Sequence, residues 1–448
     1  MHVFMKLYPH IKKQDREVYK ALEGEEIRQA ESLELIPSEN IVSQAVREAM
    51  GSCLTNKYSE GYPRARYYGG NEIIDKIEDV ARNRAKKLFR VPHVNVQPYS
   101  GSPANLAVYL ATCQPGDTIM GHLLTAGGHL THGWKASATS MFYKAVQYGV
   151  RPDGYLDLKE IERLAKEHKP KLIWVGATAY VREFPFKELA AIADGVGAYL
   201  AADIAHVAGL VIAGAHKSPV PYAHIVTTTT HKTLRGPRGG MIMVTAKGLA
   251  KDPELANKID RAIFPNLQGG PHNHTTAGIA VALKEASTAK FRAYGKQIVK
   301  NARALAQTLV KRNIEIVSGG TDNHMILVKC GVGRGAIIEI ALDAIGLTVN
   351  KNTIPDEPSS PFYPSGIRIG TPSITTREMK EREMETIGNL IADVMEHVQN
   401  EQLPAEKTER KPYLANLKRH LQKDAKITKL RTEVRKLCKR FPIPGSFV

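Results

Sequence analysis

Cysteine is scarce in this chain, and its four copies, Cys53, Cys113, Cys330 and Cys438, stand far apart. No CxxC pair joins them and no ligand histidine keeps metal spacing to them. A disulfide framework and a structural zinc site are therefore not expected, and the four read as buried thiols of a reducing compartment. Long apolar runs are also missing: nothing reaches the roughly eighteen residues that a membrane span needs. The first residues, Met1 to Lys6, have no long apolar stretch before a small-residue cleavage site, so a cytoplasmic protein is expected rather than an exported one. Aromatic residues amount to only 6%, which makes the tyrosine-rich segment 58–68 stand out. Internal repeats and low-complexity linkers are absent as well.

What is present is an ordinary globular composition, 43% apolar and 24% charged over 448 residues, long enough for two domains and a large core. The net charge of +17 is high. Roughly half of it lies after Pro404, from Lys407 to Arg440. One reading is an acidic partner such as nucleic acid. The other is a solvated helix that buries the stripe Leu414, Leu417, Leu421, Leu430, Val434 and Leu437.

Residues 1–50 read as an N-terminal arm with a polar helix from Lys12 to Ser32. From 51 to 285 apolar strands alternate with helices, as at 171–176, 198–205, 225–228 and 241–244, which argues an α/β layer fold with a mostly parallel sheet. A long helical stretch from Thr275 to Arg312 leads into a smaller C-terminal unit, 286–448, with expected strands at 314–317 and 325–328 and a basic helical tail.

Three segments carry chemistry. In 227–240, Lys232 stands between a threonine run and a Gly-Pro-Arg-Gly-Gly turn, hence at a strand-to-loop junction. Burial there would lower its pKa and favour the free amine that bonds a carbonyl carbon. The run 198–202 ends in Asp203, which a buried parallel strand would set at the sheet's carboxyl edge, where a protonated pyridine nitrogen is a fitting partner. Ser100, Gly101 and Ser102 open a helical pattern with Pro103 in its first turn, an arrangement of N–H groups and hydroxyls suited to phosphate. Taken singly, Lys232 reads as a solvated loop lysine, Asp203 as a helix cap and the Ser/Pro segment as ordinary capping. Together they indicate pyridoxal phosphate.

With these, the chain resembles serine hydroxymethyltransferases. The resemblance rests on 33–40 (Leu-Glu-Leu-Ile-Pro-Ser-Glu-Asn), 57–63, 66–70, 127–133 (Gly-Gly-His-Leu-Thr-His-Gly), 318–324 (Ser-Gly-Gly-Thr-Asp-Asn-His) and 365–372 (Ser-Gly-Ile-Arg-Ile-Gly-Thr-Pro), in order from about residue 25 to the end. It implies the aminotransferase-like fold of type I pyridoxal-phosphate enzymes, with a smaller C-terminal α/β domain. It also implies a homodimer or tetramer, and conversion of serine and tetrahydrofolate, or an analogous reduced pterin, to glycine and 5,10-methylenetetrahydrofolate.

The resemblance also distributes roles. His129 would stack on the cofactor ring, and His206 would support it from the opposite face or donate to its phenolic oxygen. Arg368, between Gly366-Ile367 and Ile369-Gly370, would bind the substrate carboxylate bidentately; the alternative is an interdomain ion pair. Glu60, flanked by Tyr58 and Tyr62, is the general acid/base candidate. Tyr58, Glu60 and Tyr68 would act across the dimer interface. Gly269 and Gly270 would reach the phosphate from the neighbouring subunit. Ser38 would contact substrate and Thr229 would take part in catalysis. Leu124, Gly128, Leu130 and Asn352 match positions lining the pterin pocket, where Thr125 and Ala126 depart from common members. Thr178 stands where the family usually has serine, Pro103 where it has glutamine, and Asn266 where it has glycine. Arg238 shapes the lysine loop or forms a structural salt bridge.

His272 and His274 form a His-x-His pair without supporting carboxylate or cysteine, so no metal is expected. Another 3-hydroxy amino acid aldolase would share Asp203, Lys232 and Arg368 without requiring Glu60 or the pterin segments. Nucleic-acid binding by the tail lacks interleaved aromatics.

Overall fold

The computed structural model describes residues 8–445; the Met1 to Lys6 stretch lies outside them. Its centre is a seven-stranded sheet. The strands are β1 (His93–Asn95), β2 (Thr118–His122), β3 (Lys144–Tyr148), β4 (Leu172–Val175), β5 (Tyr199–Asp203), β6 (Ile225–Thr229) and β7 (Gly240–Val244). They lie in the order β1-β7-β6-β5-β4-β2-β3. β2, β3, β4, β5 and β6 pair in parallel, and β7 runs antiparallel to both its neighbours. Parallel strands buried on both faces need apolar residues in both phases of the pleat. In β4, Ile173 and Val175 enter one core while Leu172 and Trp174 enter the other. β5 divides the same way, with Leu200 and Ala202 against Ala201.

A second sheet follows, built from β8 (Met325–Lys329), β9 (Asn350–Asn352) and β10 (Gly366–Gly370), with β10 in the middle and both pairings antiparallel. Its core takes in Leu33 and Leu35 of the N-terminal arm, because Leu33 pairs with Leu347 in a short parallel ladder. The tail forms helices Lys407–Lys423 and Ala425–Arg440. Leu417, Leu421, Leu430, Val434 and Leu437 of its stripe are buried in this core, with Leu414 packed against it. Each such burial is worth about 1.5–3 kcal/mol, whereas an exposed ion pair contributes about 0–1, so the stripe holds the tail in place. Among the described residues no helix is long and apolar enough to cross a membrane.

Several local expectations change. The helix expected from Lys12 is two helices, Pro9–Gln14 and Arg16–Glu31, because the Asp15 carboxylate caps the second by accepting from the amides of Glu17 and Val18. The stretch 275–312 is likewise two helices, Asn273–Ala286 and Ala289–Lys311, with Thr288 capping the latter. Residues 314–317 are not a strand. Asn313 and Ser318 take left-handed backbone angles at either side, and only one bridge, Ile316 to Val328, remains. Of the four thiols, Cys53 is exposed and the other three are buried.

Candidate active site

The carboxyl ends of adjacent parallel strands converge on one small cavity, lined by Gly101, His129, Ala177, Thr178, Asp203, Ala205, His206, Thr229 and Lys232. Asp203 ends β5, Thr229 ends β6 with Lys232 three residues on, Thr178 follows β4, and His129 lies in the loop after β2. The edge where open α/β sheets receive ligands thus carries the chemistry.

Lys232 keeps some accessible surface, but that surface opens into the cavity. Burial lowers its ammonium to about 8, with Asp203 pulling upward and Arg368 and Arg238 pushing further down. Burial acts to raise the Asp203 carboxyl, yet His132, His129 and Asn105 outweigh it and hold the group well below the ordinary carboxylate range. Asn105 Nδ2 donates to Asp203 Oδ2 at 2.9 Å and the Ala205 amide donates to Oδ1 at 3.0 Å. His132 Nε2 lies 3.3 Å from Oδ2, outside hydrogen-bond alignment. An ionised carboxylate here awaits a cationic partner.

His129 accepts from the Thr131 amide at Nδ1 and is lowered to about 4, chiefly by burial. His129, His132 and Asp203 also bring three potential ligand atoms within 4.8 Å of one another.

Helix Gly101–Thr112 points its N-terminus at the same cavity. The Ser100 side chain makes no capping bond, so its hydroxyl and the first amides stay available. A Cβ at Gly101 would stand 2.8 Å from Thr229 Cγ2, so only glycine leaves the cradle open. Thr178, a cofactor-binding position by the resemblance, lines the cavity, and its hydroxyl donates to the carbonyls of Gly128 (3.0 Å) and Gly127 (3.2 Å) while its oxygen can still accept. Thr229 Oγ1 turns to the Ala205 carbonyl at 3.4 Å.

Arg368 sits mid-strand in β10, 9% exposed, and burial alone lowers it to about 10. Nε donates to Asn350 Oδ1 at 3.1 Å and Nη1 donates to the Thr178 carbonyl. No carboxylate pairs with it among the described residues, which removes the interdomain ion pair. A buried guanidinium without a counter-ion is a receptor for one. Pyridoxal phosphate fits what these residues offer: a nucleophilic amine, an ionised carboxylate, a phosphate cradle and a free buried cation.

A second group lies apart. Tyr58 Oη donates to Glu60 Oε1 at 3.4 Å, and Tyr58 and Tyr68 meet edge to face at 5.3 Å. Gly269 and Gly270 approach Glu60 and the Tyr58 ring so closely that a Cβ would stand 3.0 Å and 3.2 Å away. No hydrogen bond or ion pair joins this group to the Lys232 cavity among the described residues. Arg66 fixes its backbone, donating from Nη1 to the carbonyls of Ser59 (2.9 Å) and Gly61 (2.8 Å) while its other nitrogens hold Asp75 and Glu78. Ser38 and Arg238 line a different cleft with Asn40 and His231. His272 stacks on Tyr99 at 4.1 Å. Leu124, Gly128 and Leu130 belong to the loop after β2, and Thr353, next to Asn352, ties β9 to that loop by donating to the Thr125 carbonyl at 2.7 Å.

Sequence reasoning missed Asn105, His132, Asn40 and His324. His132, Asn40 and His324 lie inside quoted motifs and Asn105 lies two residues past Pro103, but only the folded chain shows Asn105 and His132 at Asp203.

A family model described as serine hydroxymethyltransferase matches residues 11–391. The chain is 52% identical over 435 residues to a serine hydroxymethyltransferase of Sorangium cellulosum (strain So ce56), covering 96% of each chain. It is also 52% identical over 428 residues to a serine hydroxymethyltransferase of Acidothermus cellulolyticus (strain ATCC 43068 / DSM 8971 / 11B), covering 95% of this chain and 94% of the relative.

Proposed function

The chain belongs to the serine hydroxymethyltransferase family, and from that premise we propose how its residues divide the work. The fold is that of type I pyridoxal-phosphate enzymes. The reaction is the reversible conversion of serine and tetrahydrofolate to glycine and 5,10-methylenetetrahydrofolate, a one-carbon transfer.

Bound pyridoxal phosphate supplies an electrophilic carbonyl carbon and an electron-withdrawing ring. Lys232, with its amine partly free near neutral pH, would hold the cofactor's carbonyl carbon. Asp203, whose carboxylate stays ionised throughout the working range, would hold a proton on the ring nitrogen. Ser100, Gly101 and Ser102 hold the phosphate, joined by Gly269 and Gly270 of a second subunit. His129 would pack on the cofactor ring and His206 would support it. Thr229, packed close to Gly101, would take part in catalysis. Arg368 grips the substrate carboxylate through its guanidinium fork. Glu60, framed by Tyr58 and Tyr68 and supplied by the second subunit, moves the proton of the serine hydroxyl. Ser38 contacts substrate, and Leu124, Gly128, Leu130 and Asn352 receive the pterin. The assembly is a homodimer working in the cytoplasm. The chain divides into an arm (1–50), a cofactor-binding domain (51–285) and a small domain (286–448); the helix break at Ser287 and Thr288 supports the second boundary.

The observation that carries this reading is the meeting of Lys232 and ionised Asp203 at one sheet edge, with counter-ion-free Arg368 of the second sheet joined to that cavity through the Thr178 carbonyl. Purified protein reconstituted with pyridoxal phosphate is assayed for glycine formation from serine against a panel of reduced pterins. Pterin-dependent glycine is expected. No lysine-linked cofactor absorbance and no glycine with any pterin would overturn the assignment.

A further inference from the structure

His324 takes no part in the scheme above, yet it meets His206 inside the protein. His206 follows β5, and His324 stands immediately before β8 in the other sheet. The two rings are 4% and 0% exposed. His206 Nδ1 and His324 Nε2 lie 3.2 Å apart, the ring centroids 5.4 Å apart, and the planes differ by 22°. The centroid separation exceeds the nitrogen separation by about two ring radii. The rings therefore lie edge to edge in nearly one plane, the geometry of an N–H···N hydrogen bond rather than of a face-to-face stack.

The His324 segment is held rigidly. The Asp322 amide donates to the Val181 carbonyl at 2.9 Å, Asn323 Nδ2 donates to the Tyr180 carbonyl at 3.0 Å, and the Thr371 amide donates to the His324 carbonyl at 3.1 Å. Burial, with Lys232 and Arg368 adding to it, holds both histidines far below their usual value, so both rings are neutral.

Two neutral imidazoles share one hydrogen between their facing nitrogens, and the bond network decides its owner. If His206 donates from Nδ1, His324 must carry its own hydrogen on Nδ1. That atom is buried and has no partner among the described residues. If His324 donates from Nε2, only a lone pair is left on its Nδ1. Orphaned buried N–H donors are rarer in folded proteins than under-satisfied acceptors. In the second arrangement His206 accepts at Nδ1 and carries its hydrogen on Nε2. His206 lines the cavity with Lys232 and Asp203, and its Nε2 makes no hydrogen bond to the described residues.

We propose that His324 is a positioning residue that fixes the tautomer of His206, so that His206 presents an Nε2–H donor to the cofactor cavity. The matching ligand group is an oxygen anion, the phenolic oxygen of the cofactor ring. The inference rests on the cofactor reading given above. It also assigns the small domain a direct hold on the cofactor site, through a single hydrogen bond.

The test is ¹⁵N NMR of cofactor-free protein labelled at histidine, with the signals assigned by their loss in His206→Asn and His324→Gln. The expected result is a protonated Nε2 and a bare Nδ1 on His206. A protonated Nδ1 on His206 in the unsubstituted protein overturns the inference, whatever the activity. His324→Gln keeps an N–H near the position of Nε2 and should preserve both the His206 tautomer and the visible spectrum of the reconstituted enzyme. His324→Phe keeps a ring without the donor. It should give His206 a mixed tautomer, shift that spectrum and weaken cofactor retention roughly tenfold. Identical spectra and retention in the Phe and unsubstituted proteins would also overturn it. Unsubstituted protein that binds no pyridoxal phosphate refutes the cofactor reading instead, and leaves the tautomer measurement standing.

Discussion

Asn40 reaches across 192 residues of chain to hold the backbone of Lys232: its Nδ2 donates to the Lys232 carbonyl oxygen at 2.9 Å. The same amide donates to Tyr294 Oη at 2.8 Å and accepts from Thr376 Oγ1 at 2.8 Å. One side chain of the N-terminal arm thus ties the lysine loop to helix Ala289–Lys311 and to the short helix Pro372–Thr376 after β10. Asn40→Ala strips partners from several buried polar groups at once. The cofactor-free protein is expected to lose about 1–3 kcal/mol of stability. A lower urea midpoint at unchanged slope is the readout, and an unmoved midpoint would remove Asn40 from this role.

Lys232 gives a pH test with a definite sign. Its folded value, about 8, lies below the usual 10.5. The unfolded chain therefore binds the extra proton more readily, and the buried ammonium costs stability at all pH values below about 8. That cost disappears as pH rises from 8 to 10.5. In cofactor-free protein, Lys232→Met should be more stable than the unsubstituted chain at pH 7 by about 3 kcal/mol. The gap should close by about pH 10.5. Thermal unfolding of both proteins across that range decides it, and a gap that is absent or widens with pH contradicts the assigned burial.

How much of this was legible in the sequence depended on range. Asp203 and Lys232 could be placed because apolar runs mark buried strands, and a polar residue at the end of such a run must emerge at the sheet edge. The partners of Asp203 could not, since Asn105 lies 98 residues away and no periodicity links them. The same holds for His206 and His324, 118 residues apart and on different sheets. Among the secondary elements, 314–317 looked like a strand by composition, but the left-handed residues Asn313 and Ser318 prevent a ladder. Asp15 and Thr288 did carry a readable signal, each being a capping residue ahead of a helix.

Arg368 separates charge from geometry. Arg368→Lys keeps a cation in the pocket but loses the fork, and the loss of one charged hydrogen bond raises the serine KM about tenfold or more. Arg368→Ala leaves the substrate carboxylate buried without a partner, so kcat/KM falls further, by about 3–5 kcal/mol of transition-state binding. Steady-state kinetics with serine, compared with the carboxylate-free analogue ethanolamine, isolates the contact. Equal losses on both substrates would mean that Arg368 acts only through Asn350 and the Thr178 carbonyl.

The sharpest test concerns where Glu60 acts. Tyr58 and Tyr68 are 55% and 49% exposed, a poor state for two tyrosines framing a catalytic carboxylate. Their group, with Gly269 and Gly270, makes no hydrogen bond to the Lys232 cavity of its own chain among the described residues. A second subunit covering this surface would bury the tyrosines and bring Glu60 to a neighbouring Lys232. Glu60→Gln and Lys232→Ala should each be inactive alone. Mixed and allowed to exchange, half of the dimers carry one of each, and one of their two sites has both residues intact. Activity should then recover to roughly a quarter of the unsubstituted level at equal mixing. Native mass spectrometry must first show the mixed dimers. If they form and activity stays at the parental background, Glu60 serves the site of its own chain and the shared-site reading is wrong.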